Sequence, residues 1–178
     1  MNTKEYWIEK LKLVPHFEGG YYRETIKSKE LVKVGDKPEK KLFSCIYFLM
    51  DVSDSACFHS VKCDEMWYFH YGSCLNVHCL KPDGSYELVR LGNNPDNGEV
   101  FQSCIQSNNI FGAAVEKDSE FGFAIASIQV MPGFDMSDFK LYPRSKLLEM
   151  FTDQKTIINQ MAQEDPSMNQ EKPLPISE

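Results

Sequence analysis

From Leu42 to Val130 the chain alternates short apolar runs with polar turns. The runs fall at 42–50, 56–61, 65–71, 74–81, 86–91, 99–106, 110–116 and 121–131. Turn formers separate several of them: Asp51 to Ser55, Pro82-Asp83-Gly84, Gly92 to Gly98, and Lys117-Asp118. Runs of this length and spacing predict strands, and their number predicts an all-β sandwich or barrel. Nothing alternates strand with helix, so a parallel α/β sheet is excluded.

The flanks carry helical spacing instead. Trp7, Ile8, Leu11 and Val14 recur at helical intervals, which predicts a helix over 3–14 with Asn2 and Glu5 as a capping box and Pro15 as its stop. His16 to Thr25 reads as a double-glycine turn, Gly19-Gly20, entering a strand. Lys27 to Lys41 is lysine-rich, but Glu30, Asp36 and Glu39 interleave with the lysines; a solvated hairpin or loop follows, not a basic binding patch. Leu147, Leu148 and Phe151 form one short amphipathic set, and Ile157, Ile158 and Met161 another that starts near Thr152 or Asp153. One domain over 1–162 is expected, with 163–178 as a disordered polar tail.

Charge narrows the partners. A net charge of −7 and a pI near 5.2 argue against nucleic acid, whose phosphates require a basic face. No apolar run approaches a membrane span, and Met1 to Glu5 lacks the apolar core of a secretory signal, so a cytoplasmic protein is expected. The six cysteines include no CxxC pair and lie mostly in apolar runs. They read as free thiols in a reducing compartment. Cys63 is the exception, on the polar turn Lys62-Cys63-Asp64, where exposure is expected.

The candidate chemistry lies around that turn. His59 and Glu65 stand six residues apart, with Gly72 seven further on. Side chains alternate along a strand, so His59 and Val61 share a face, joined by Glu65, Trp67 and Phe69 if the sheet continues through the turn. An ionisable pair among aromatic residues on a concave face is a candidate site. His59 can carry a proton near neutrality, with Glu65 to orient it, and His78 could face inward with Asn76 and Leu80 as a third group. Tyr47, Tyr21 or Tyr22 could serve as the opposing acid. Arg23 could clamp a carboxylate or phosphate, or pair with Glu18 or Asp138. Trp67 and Phe69 would form pocket wall. His16 reads as a residue that satisfies its turn, and His70, at an odd offset from Glu65, as surface or subunit interface.

The His59, Glu65, Gly72 arrangement resembles the first cupin motif, His-x-His-x(3–4)-Glu-x(6)-Gly, with Val61 in place of the second His. Pro15-His16-Phe17-Glu18-Gly19-Gly20-Tyr21-Tyr22-Arg23-Glu24-Thr25 is similar to the opening of one cupin branch, and Met131-Pro132-Gly133-Phe134-Asp135-Met136-Ser137-Asp138-Phe139-Lys140-Leu141 to its ending. The branch is the "cupin 5" family, whose function is unknown; the resemblance spans roughly residues 5 to 162. It implies a mainly β fold, a cupin-type double-stranded β-helix or jelly-roll barrel, with N-terminal and C-terminal helices. The chain departs from the branch at the second motif, where Gln106 to Ala113 lacks the usual Pro, Gly and aromatic, and Phe111 stands where metal-binding cupins place their last His. Those sites use three His and one Glu, so a divalent metal, if bound, would have only His59 and Glu65; no cofactor is otherwise implied.

The function expected is binding of a small molecule, with isomerase or epimerase chemistry on a sugar or nucleotide-sugar-like ligand. His59, Glu65 and His78 would be catalytic, and Arg23, Tyr47, Trp67, Phe69 and Phe111 would contact the ligand. The alternatives are a ligand-binding or sensor cupin without catalysis and a metal-dependent oxygenase. Membrane partners are not expected, and the resemblance implies a homodimer.

Overall fold

A computed structural model describes residues 2–117 and 119–162; the expected tail lies outside the described residues. The eight predicted strands all form, with ends shifted by at most three residues. The first helix, α1 (Lys4–Leu11), is shorter than its spacing suggested. Thr3, not Asn2, is the cap, its Oγ accepting from Tyr6 N, and Lys12 closes the helix in the left-handed region at φ 53°. Val14 and Pro15 are then free to form a short strand, β1.

The following strands are β2 (Tyr21–Lys27), β3 (Leu31–Val32), β4 (Lys40–Lys41), β5 (Ser44–Asp51), β6 (Ser55–Ser60), β7 (Asp64–Gly72), β8 (Leu75–Leu80), β9 (Tyr86–Leu91), β10 (Gln102–Ile105), β11 (Ile110–Val115), β12 (Phe123–Met131) and β13 (Lys140–Leu141). They build two antiparallel sheets, in the orders β1-β2-β5-β12-β7-β10 and β13-β6-β11-β8-β9. The lysine-rich stretch makes the small β3–β4 hairpin.

The two sheets bury a common core because their facing positions are apolar at every second residue. Phe48 and Met50 of β5, Trp67 of β7, Leu75, Val77 and Cys79 of β8, and Phe111 and Ala113 of β11 all join one cluster. The outer faces are covered separately. Trp7, Ile8 and Leu11 of α1 pack with Leu49, Phe123 and Ile125. Helices α2 (Arg144–Met150) and α3 (Lys155–Met161) lay Leu147, Ile158 and Met161 over Phe58, Leu80 and Ile110. Ile158 is fully buried, so truncating it to alanine should cost about 2–5 kcal/mol.

Two irregularities aim the site. In β6 the register slips against β11, with Phe111 opposite His59 but Ala113 opposite Ala56, so Cys57 and Phe58 bulge and both Ala56 and His59 turn inward. At the start of β2, Gly20 has φ +73°, and a Cβ there would lie 2.5 Å from Leu49 O. Only glycine lets the His16–Gly20 turn fold down against β5.

Candidate active site

A cavity of about 260 Å³ opens between the sheets. His59, Glu65 and Trp67 line it, and so do His16, Glu18 and Tyr22 from the turn and strand ahead of β5. Phe17, Phe48, Phe134 and Phe139 supply aromatic wall.

The ionisable groups form a chain. His59 Nδ1 lies 2.9 Å from Glu18 Oε1 and 2.8 Å from the Cys57 carbonyl. Glu18 Oε1 is buried without an aligned hydrogen-bond donor, so its compensation is the electrostatic pairing with His59. With Nδ1 engaged, Nε2 is the ring nitrogen left to meet a ligand. Glu65 is buried and accepts from Trp67 Nε1 at 3.0 Å; it acts on His59 through space. The His16 ring nitrogen accepts from the Glu18 backbone N–H at 3.3 Å, so His16 both satisfies its turn and lines the cavity.

Burial works against charge on His59, but the Glu18 carboxylate, helped by Glu65 and the Cys57 carbonyl, outweighs it and lifts the imidazole to about 9. Burial raises Glu65 to about 7, against the opposing pull of His59 and the Trp67 N–H. Burial lowers His16, with the neighbouring His59 adding to the effect and Glu18 opposing it. At neutral pH the cavity therefore holds an imidazolium, a neutral imidazole and a carboxyl close to its midpoint.

Phe111 takes the place opposite His59, ring centroids 4.2 Å apart, and Phe139 stacks on His59 at 5.1 Å. Phe69 is half-buried and packs against the inter-sheet core without lining the cavity. Three candidates are placed elsewhere. His78 faces outward, its Nδ1 2.8 Å from Tyr86 Oη, because its neighbours Val77 and Cys79 take the inner face. Arg23 and Tyr47 are cross-strand partners on the outer face, the guanidinium 5.6 Å from the Tyr47 ring centre. Neither Glu18 nor Asp138 pairs with Arg23; Asp138 is held by Lys40. Tyr21 joins the outer cluster under α1, leaving Tyr22 as the cavity tyrosine. His70 is exposed and bonds Ser127. Cys63, expected on the surface, is buried at 4% exposure, its thiol donating to Asp138 at 3.5 Å, and is pushed up to about 11, chiefly by burial. The sequence offers Tyr22 as one of three tyrosines for the acid and Glu18 only as a candidate partner for Arg23; nothing local tells which of these residues reach the cavity.

The donor atoms that line the cavity, on His16, Glu18, His59 and Glu65, do not gather about one point as a divalent metal requires. Val61 and Phe111 occupy two of the four cupin ligand positions, both without a donor atom, and His78 faces away. His59 Nδ1 is engaged by Glu18 and the Cys57 carbonyl, and a metal at Nε2 would have to displace the ring proton.

The two antiparallel sheets, with His59 and Glu65 on their inner face, have the architecture of a cupin. Residues 5–142 match the model of the family described as Cupin superfamily (DUF985), and the chain belongs to that family. It is 27% identical over 154 residues to the uncharacterized protein YML079W of Saccharomyces cerevisiae, covering 74% of this chain and 71% of that one. Two solved structures superpose over most of the chain. A hypothetical protein from Leishmania major has TM-score 0.85 at 32% identity, covering 91% of this chain and 99% of that one. Protein SO0799 from Shewanella oneidensis has TM-score 0.82 at 33% identity, covering 93% and 100%. Oxalate decarboxylase of Bacillus subtilis, at TM-score 0.52 and 15% identity over 83% of this chain and 36% of that one, shares the fold alone. Among the described residues no helix is long and apolar enough to cross a membrane.

Proposed function

We propose that the protein binds a small polar molecule, a sugar or the sugar part of a nucleotide-sugar-like ligand, and isomerises or epimerises it by proton transfer next to a carbonyl group. The observation that carries this reading is the separation of His59, raised to about 9, from Glu65, raised to about 7, within one buried cavity. Acid and base roles are divided in this way when two titratable groups are driven apart by their surroundings.

Glu65, near its midpoint at neutral pH, takes a proton from the carbon beside the carbonyl. The His59 imidazolium hydrogen-bonds the carbonyl oxygen and stabilises the negative charge that develops there. Glu18 keeps that ring charged and oriented. Return of the proton from Glu65 to the former carbonyl carbon, with the hydroxyl proton of the adjacent carbon passed to the former carbonyl oxygen, would give isomerisation; delivery to the opposite face by a second acid, for which Tyr22 is the cavity candidate, would give epimerisation. The aromatic walls offer ring faces to a sugar.

The test is solvent deuterium exchange. Aldoses, ketoses and nucleotide sugars are incubated with the protein in D₂O and followed by proton NMR. A ligand that exchanges a carbon-bound proton with wild type, and about 10²–10⁴-fold more slowly with His59→Gln or Glu65→Gln, supports the reading. A ligand that binds the cavity with no exchange would replace it with the non-catalytic binding role.

A further inference from the structure

We propose that a second cavity binds a small molecule with an anionic oxyacid head, phosphate or carboxylate, on an apolar body. This cavity, about 310 Å³, lies across the Pro132–Phe139 segment from His59 and shares no lining residue with the first. Val32, Val34, Pro38 and Pro132 give it apolar walls.

Its charge carries the argument. Lys37, Lys40 and Lys62 line it against a single carboxylate, Asp138, in a chain whose net charge is −7. Asp138 is buried and already paired with Lys40. Lys62 reaches only the Ser137 carbonyl, at 3.5 Å, and neither Lys62 nor Lys37 has a carboxylate partner among the described residues. The two come from separate turns, Lys37 from the β3–β4 hairpin and Lys62 from the β6–β7 connection, and converge on one concave surface. Two uncompensated ammonium groups beside an apolar wall are matched by an anion with an apolar body, since lysine meets phosphate or carboxylate as a point charge. The hairpin that reads in sequence as merely solvated thus forms one wall of a site. Cys63 also borders the cavity, but its thiol is bound to Asp138, so the ligand is held reversibly and no covalent step is involved.

The experiment titrates the full ¹⁵N-labelled chain separately with phenyl phosphate, benzoate and phenol. Phenyl phosphate or benzoate should shift the backbone amides of Val32 to Val34, Lys62 and Cys63, and the tighter of the two identifies the head group. Phenol should not shift them. The double variant Lys37→Ala with Lys62→Ala removes two exposed charges, should keep the wild-type Tm, and should bind the anion at least about tenfold more weakly. Absence of shifts with both anions, equal shifts with phenol, shifts confined to the His59 cavity, or undiminished binding in the double variant would each overturn the proposal.

Discussion

Glu18 Oε1 and His59 Nδ1 stand 2.9 Å apart, bringing a turn before the first long strand onto the bulged strand of the opposite sheet. The carboxylate is buried with no aligned donor, and the imidazole would lose its proton to burial without it. His59 keeps its charge because Glu18 is there.

This pairing fixes how stability depends on pH. The folded pKa of His59, about 9, lies above its ordinary 6.5, so the native state binds that proton more tightly than the unfolded one. The resulting stabilisation is complete below pH 6.5 and is lost as pH rises through about 9. Glu65, raised from 4.5 to about 7, acts in the same sense: its contribution is complete below pH 4.5 and is lost as pH rises through about 7. The Tm should therefore fall from pH 4.5 to 9 through these groups. In Glu18→Gln the upper part of the fall should disappear, the His59 ring should titrate well below 9 by NMR, and stability at pH 7 should drop by about 1–3 kcal/mol. An unchanged His59 titration would show that Glu18 does not hold the ring charged.

Trp67 tests Glu65 in the same way. Its N–H bond at 3.0 Å favours the ionised carboxylate and restrains a pKa that burial pushes up. Trp67→Phe keeps the ring and removes the donor. Glu65 should then titrate above 7, by about one unit, followed through the ¹³C signal of its carboxyl carbon. A purely packing role for Trp67 would lower the Tm and leave that titration in place.

The sandwich and the inward face of β7 were legible because alternation is a local signal; Glu65 and Trp67 needed only each other's position. His78 was not, because even numbering alone sets it inward with Asn76 and Leu80, whereas the odd positions Val77 and Cys79 take the inner face of β8. Arg23 failed for a related reason. On β2 it is Tyr22 and Glu24 that line the cavity, which sends Arg23 to the outer face beside Tyr47. Glu18 could not be picked out because its partner is set by the packing of two sheets, with no periodicity linking turn to strand. Cys63 looked exposed because its neighbours are polar, while the Asp138 segment that buries it arrives from far along the chain.

The thiols can be told apart by labelling. Cys104 is exposed and Cys63 buried; Cys63, Cys74 and Cys79 are raised to about 11 or 12, chiefly by burial. Because the thiolate is the reacting form, a thiol reagent at pH 7.5 should modify Cys104 first in the folded protein, read by peptide mass spectrometry, and reach Cys63 only after denaturation. Rapid native labelling of Cys63 would mean that the Asp138 contact opens readily.

Metal binding tests the inner face most directly. Val61 and Phe111 are both nearly fully buried, at 2% exposure, and Phe111 packs its ring against His59, so two ligand positions of the cupin site are filled by hydrocarbon. Three protein ligands with an open position are the usual minimum for a catalytic metal. Wild type purified without a chelator or histidine tag should therefore carry well under one divalent metal per chain by elemental analysis. Val61→His combined with Phe111→His restores the donors on the same inner face and should raise the content toward one per chain, and adding His59→Ala should remove it again. The combined variant must also deprotonate His59, so its uptake should weaken as pH falls. A stoichiometric metal in wild type that His59→Ala abolishes would mean that the Glu18–His59 ion pair yields to a cation, and the acid and base roles assigned to His59 and Glu65 would have to be given up.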